Sequence, residues 1–182
     1  MFGAVRTNIH IHKGEGERIV YLDYDGVLHH ENLLWNRKRG PYLVAPPGHT
    51  VFQHSHILSK ALEAYPEIKI VLSTTWVRKH GFHRTVKRLP IDIRERVIGS
   101  TWHSSNKPIE DEWKKSPRGM QVWGDVVRRK PSAWIAIDDD YLHWPKWAIE
   151  NLVETDPVLG ISKPDVEAVL KKKLEWLNSQ SR

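Results

Sequence analysis

The sequence predicts an α/β protein in which a mostly parallel sheet is covered by helices on both faces. Three observations lead there. Short, nearly continuous apolar runs recur at 18–26, 68–74, 96–101 and 133–140, each bounded by turn residues. Segments with helical spacing lie between them. The 182 residues hold no internal repeat or low-complexity tract, so one domain over 1–182 is expected. Strands that are apolar throughout and alternate with helices are buried on both faces and pair in parallel.

Taken in order, residues 1–17 alternate loosely and then turn at Gly-Glu-Gly, which suits either a hairpin strand or a loose tail. The run RIVYLDYDG, 18–26, is β-branched and aromatic and is stopped by Gly26. Residues 27–50, rich in His, Arg, Gly and Pro, read as a flap or small insertion with a short hairpin. A helix over 54–65 places Ile57, Leu58, Ala61, Leu62 and Tyr65 on one face, and Pro66 ends it. IKIVLST, 68–74, is the next strand, a basic helix follows at 81–89, and RVIGST, 96–101, is a third strand. Residues 102–117 read as loop, 118–129 as a helix stacking Met120, Trp123 and Val127, and AWIAIDDD, 133–140, as a strand ending in acid. Ser162, with Pro164 in the first turn and Asp165 at N3, predicts a capped last helix with a stripe of Val166, Val169, Leu170, Leu174 and Leu177.

Composition narrows the function classes. There is no Cys, which excludes disulfides, thiolate zinc sites and a Cys nucleophile. No apolar run approaches the roughly 20 residues of a membrane helix, and the N-terminus lacks a signal-peptide pattern, so a cytoplasmic protein without a membrane partner is expected. The net charge of +6 lies wholly in residues 1–100, with 15 Lys and Arg against 9 Asp and Glu. Arg78, Lys79, Arg84, Lys87, Arg88, Arg94 and Arg96 face only Asp92 and Glu95. Such a cluster attracts polyanions, although a solvated helix face accounts for it equally. Most of the nine Trp are read as core or rim packing; a base-stacking role for some is the alternative, with no pattern in the sequence to support it. So are the scattered His29, His30, His49, His54 and His56, whose spacing fits no standard metal site. Arg37-Lys38-Arg39 reads as a solvated loop tip.

Ligands of parallel sheets bind at the carboxyl ends of the strands. Asp23 and Asp25 stand at one such end, Ser73 and Thr74 at a second, Asp138 and Asp139 at a third. Carboxylates two apart at a strand end project to the same side, and Gly26 lets the chain turn. Four acids on one rim repel unless a cation sits among them. An all-oxygen donor set points to Mg²⁺.

Leu22-Asp23-Tyr24-Asp25-Gly26-Val27-Leu28 is similar to the first motif of the haloacid dehalogenase superfamily. Val71-Leu72-Ser73-Thr74-Thr75-Trp76 resembles its second motif and Ile135-Ala136-Ile137-Asp138-Asp139 its fourth. The third is a single Lys or Arg; Arg118 is the choice, with Lys107, Arg128 and Lys130 as rivals. The resemblance spans 18–140. Asp-Gly-Val-Leu-His, Leu-Ser-Thr-Thr-Trp and the late Leu-Gly-Ile-Ser look like a small bacterial branch associated with RNA-repair proteins, with Ser162 where that branch often has Thr. It implies a Rossmann-like three-layer α/β/α fold.

The resemblance also implies a Mg²⁺-dependent phosphatase. Asp23 would be the nucleophile, Asp25 the acid and base, Ser73 and Arg118 the groups on the transferring phosphoryl. Asp23, Asp138, Asp139 and Asp25, the last through its backbone carbonyl, would hold the metal. Ser73, Thr74, Arg78 and Lys79 are the expected substrate contacts. Caps of this superfamily are inserted after the first or second motif. Only 47 residues separate Asp25 from Ser73, and a helix with its strand takes roughly 20 of them. A minimal cap or none follows, leaving an open rim suited to a large substrate such as a nucleic-acid end. A small-molecule phosphatase or nucleotidase, and a binding module that no longer turns over, are the competing readings.

Overall fold

The computed structural model describes residues 13–181, so most of the 1–17 segment, residues 1–12, lies outside what is described. The elements run β1 (Arg18–Leu22), β2 (Leu33–Asn36), β3 (Gly40–Leu43), α1 (Ser55–Leu62), β4 (Lys69–Leu72), α2 (Thr75–His80), α3 (Phe82–Val86), α4 (Ile91–Arg94) and β5 (Val97–Ser100). They continue as α5 (Glu110–Lys115), α6 (Arg118–Arg129), β6 (Ala133–Asp138), β7 (Leu152–Glu154) and α7 (Pro164–Ser179). Short 3₁₀ segments occupy Ser104–Ile109 and Ile149–Asn151.

Five strands form a sheet in the order β5-β4-β1-β6-β7, with every pairing parallel. The period of two divides each central strand between two cores. Val20 and Leu22 of β1, with Ile135 and Ile137 of β6, face Leu58, Leu62, Leu170, Leu174 and Leu177 of α1 and α7. Ile19, Tyr21, Trp134 and Ala136 face Val122 and Val126 of α6. This is the expected three-layer α/β/α arrangement. The chain leaves β1 towards β4 and β5, then returns to the far side of β1 for β6. The order therefore reverses around β1, which opens a crevice at its carboxyl end.

Several expectations change. The first strand stops at Leu22: the Asp23 amide still donates to the Ile137 carbonyl of β6 at 3.1 Å, but the chain then turns away at Gly26, where φ is +67°. The flap at 27–50 does hold an antiparallel hairpin, β2–β3, whose exposed tip carries Arg37, Lys38 and Arg39. Of the basic helix expected at 81–89 only Phe82–Val86 forms, as α3. A break at Gly81, with φ +85°, separates it from α2, which the sequence reading does not foresee, and α4 follows. The 102–117 loop contains α5, held by an edge-to-face contact between Trp113 and Trp102 at 4.8 Å.

Helix α6 has the expected bounds but turns another face inward. Met120 and Val127 are exposed, whereas Val122, Val126, Asp125 and Arg129 are buried. Asp125 accepts from Tyr21 Oη at 2.9 Å and from Arg129 Nε at 2.8 Å, so a paired charge rather than an apolar ring fills that side. At α7 the capping box does not form. The Ser162 hydroxyl donates back to the Leu159 carbonyl at 2.6 Å. Lys163 stands at the cap position, where its side chain makes no capping bond and pairs instead with Asp156 at 3.5 Å. Val169 is exposed, while Val166, Leu170, Leu174 and Leu177 form the buried stripe.

Candidate active site

Three neighbouring strands end at one rim. β1 delivers Asp23, β6 delivers Asp138 and Asp139, and β4 delivers Ser73, whose amide donates to the Leu22 carbonyl at 2.8 Å. Asp23, Asp138 and Asp139 each place one carboxylate oxygen within 4.8 Å of the others. Asp23 and Asp138 are buried. Gly26 makes the approach of Asp139 feasible: a Cβ there would lie 2.1 Å from Asp139 Oδ2. The turn is fixed further by Thr155, whose buried hydroxyl donates to the Gly26 carbonyl at 2.7 Å.

Arg118, the first residue of α6, is the basic group the structure brings to these acids. Its Nη2 donates to Asp23 Oδ2 at 3.2 Å and its Nε lies 3.3 Å from Asp138 Oδ2. Gln121 accepts from Arg118 Nη1 at 3.1 Å and is itself fixed by donating to the Trp113 and Ser116 carbonyls. Helix α5 and the turn after it therefore orient the guanidinium. Among the rivals, Arg128 is paired with Asp125 and His103, and Lys107 and Lys130 are exposed.

The Asp25 carboxylate stands apart from the acid group. It accepts from Trp76 Nε1 at 3.0 and 3.1 Å and lies 3.0 Å from His29 Nε2, with about a third of its side chain exposed. The structure does not bring that side chain among the three clustered acids. Thr74 caps α2 by accepting from the Trp76 amide at 3.3 Å, which sets the indole over Asp25. Ser73 Oγ is buried with no hydrogen-bond partner among the described residues. Arg78 bonds Glu110 at 3.0 Å and Lys79 is exposed; among the described residues neither bonds the acids.

Sequence reading misses several residues at the site: Trp76 on Asp25, Gln121 on Arg118, His29 and Thr155. His29 does pack, fully buried against Phe52 and Trp76, and it also contacts Asp25, for which the i,i+4 spacing is a signal. Thr155 offers no sequence signal, because its neighbour Gly26 is 129 positions away.

Burial drives the electrostatics. It raises the Asp23 carboxyl above its ordinary range, against the pull of Arg118 and of hydrogen bonds from the Tyr24 amide and Thr74. Burial, then the nearby Asp23 charge, hold Asp138 well above that range and push Asp139 up to about 7. A buried acid cluster that resists ionisation, with Asp138 Oδ2 lacking a hydrogen-bond partner among the described residues, suits a hard divalent cation. The donor set fits Mg²⁺ and offers nothing to a thiophilic metal.

The sign of the pH dependence follows. Where folded pKa values exceed unfolded ones, the folded state binds more protons, and stability falls as pH rises. Burial lowers His54 to about 4, which acts in the opposite sense below its unfolded value of about 6.5. The clean window therefore lies above that value. Without divalent cations, the melting temperature is expected to fall between about pH 6.5 and about pH 8, and Mg²⁺ should flatten the slope. Thermal melts at fixed ionic strength check this; a flat metal-free profile would refute the buried-acid account.

The family model for the HAD domain in Swiss Army Knife RNA repair proteins matches residues 19–166. That is most of the chain, and the chain belongs to this family. Membership supports a phosphohydrolase-type function for the rim just described. No curated protein and no solved structure was found to match.

Proposed function

We propose that this HAD domain is a Mg²⁺-dependent phosphatase acting on a macromolecular phosphate, with a nucleic-acid end as the favoured substrate. The observation that carries the reading is the group of Asp23, Asp138 and Asp139, of which the first two are buried and bridged by Arg118 and the third is half-buried. Asp23, Asp138 and Asp139 would hold the cation, which when bound screens the anionic nucleophile from the anionic substrate.

A carboxylate oxygen of Asp23 attacks phosphorus, and the bond from phosphorus to the ester oxygen breaks. Asp25 gives its proton to that departing oxygen. Water then attacks the aspartyl-phosphate, passes a proton to Asp25, and the bond from phosphorus to Asp23 breaks to release inorganic phosphate. Splitting one displacement into two lowers each barrier. Arg118, already bonded to Asp23, offsets charge on the phosphoryl group, and the unpartnered Ser73 hydroxyl donates to one of its oxygens. Trp76 and His29 fix the Asp25 carboxyl in place.

Two features favour a large, polyanionic substrate. The only element between β1 and α1 is the small β2–β3 hairpin, so the rim stays open. A groove of about 820 Å³ is lined by Lys13, Arg78, Lys107, Arg128 and Arg129 and by no carboxylate. Arg78 is paired with Glu110, and Arg128 and Arg129 with Asp125 behind it, which leaves Lys13 and Lys107 as its unshared cations among the described residues. Successive phosphates would be held there electrostatically.

Phosphate release with and without Mg²⁺, compared across an aryl phosphate, mononucleotides and end-phosphorylated oligonucleotides, tests the proposal. Preference for the oligonucleotide supports it; equal or better turnover of mononucleotides moves the assignment to a small-molecule phosphatase. Asp25→Asn should lower turnover about 10²- to 10⁴-fold for alkyl and nucleotide esters, whose leaving oxygen needs a proton. Aryl phosphate should suffer less in its first step. A uniform loss across leaving groups would remove Asp25 from the acid role.

A further inference from the structure

We propose that the cleft between the β2–β3 hairpin and helices α2 and α3 is a subsite for the terminal nucleobase of a single-stranded nucleic acid whose end phosphate lies at Asp23. This rests on the phosphatase reading above and extends it to the recognition of the strand.

The cleft holds about 390 Å³, within the roughly 300–1,000 Å³ of ligand pockets. Its wall begins at the catalytic rim: Trp76, nearly buried, forms part of it and donates its indole N–H to Asp25. Trp35 reaches in from β2. Its ring lies parallel to that of His80, with centroids 3.8 Å apart at 24°, and meets the edge of Trp76 at 6.2 Å. Even so, Trp35 remains 43 % exposed. A large ring held in a defined orientation with much of its surface open is what a stacking platform requires, and every base has a π-face to offer.

The remaining wall is cationic. Arg84, Lys87 and Arg88 line the cleft, with the Arg88 guanidinium 5.7 Å from the Trp35 ring centroid, and no carboxylate lines it. Burial, followed by the charges of Lys79, Arg88 and Arg84, holds His80 below its ordinary pKa, so at neutral pH it presents a neutral ring. Aromatic rings interleaved with cations beside a phosphate-processing rim match a nucleotide better than a phosphorylated side chain, which carries no flat ring to stack. The arrangement also gives the hairpin a purpose: it carries the platform.

The test reads binding, not turnover, with Asp23→Asn used to keep the ligand intact. Fluorescence anisotropy compares a labelled RNA hexanucleotide bearing a terminal phosphate with the same chain whose phosphorylated residue is abasic, the phosphate at the 5′ or the 3′ end in separate arms. The base-bearing ligand should bind about tenfold tighter in at least one arm. Trp35→Ala should bring that ratio close to one, and Trp35→Phe should keep most of it. Equal affinity for the two ligands in both arms, or a ratio that survives Trp35→Ala, overturns the subsite. Base-selective binding by a protein that releases no phosphate would retain the subsite and discard the phosphatase reading. Turnover without base selectivity would do the reverse.

Discussion

Replacing Arg118 with alanine is expected to destabilise the metal-free protein by about 3–5 kcal/mol, the scale for removing one partner of a buried ion pair. Arg118 is 9 % exposed and stands between Asp23 and Asp138, both of which burial already pushes towards the neutral form. Without the guanidinium the two acids must be protonated or repel each other, so the loss should grow with pH. Mg²⁺ should recover part of it, since a cation on the same acids replaces some of the missing charge. Arg118→Lys should rescue incompletely, because an ammonium cannot address two carboxylates through separate nitrogens of one planar group. Denaturant unfolding at about pH 8, with and without Mg²⁺, is the measurement. A loss below about 1 kcal/mol, the range of exposed ion pairs, would show that the bridge carries little of the site's energy.

Asp23→Asn should have the opposite balance of effects. Turnover should fall by at least about 10⁴-fold if, as proposed, Asp23 forms the covalent intermediate. The fold should persist, because the Asn side-chain oxygen can still accept from the Tyr24 amide, which now donates to Asp23 Oδ1 at 2.7 Å. Stability without metal should be unchanged or higher at pH 8, since one of three crowded acids no longer needs to be ionised. Loss of activity with the protein folded separates a chemical role from a structural one. Activity within about 100-fold of the parent would remove Asp23 from the nucleophile's role.

The strands that carry the acids were legible in the sequence for a physical reason. A parallel strand buried on both faces must be apolar along its length, so the first charged residue after it marks the rim. Asp23 and Asp138 announce themselves in this way, and the Asp25–Ser73 spacing limits how large a cap can be. The α6 surface was not legible, because a binary reading assigns polar residues to water. Here Asp125 and Arg129 turn inward and satisfy each other and Tyr21. Nor could spacing show that Trp76 reaches Asp25 across 51 positions, or that Trp35 stacks on His80. Those contacts depend on where the hairpin lies relative to α2. The cap of α7 failed for a local reason: the Ser162 hydroxyl has a nearer acceptor in the Leu159 carbonyl.

The central claim is that Asp23 becomes phosphorylated during turnover. Acid quenching with radiolabelled phosphate-ester substrate in the presence of Mg²⁺, followed by peptide mapping, tests it most directly. The account predicts an acid-stable, hydroxylamine-labile label on the peptide containing Asp23, absent from Asp23→Asn. Steady release of phosphate with no trapped label at any quench time, or a label on another residue, would contradict it.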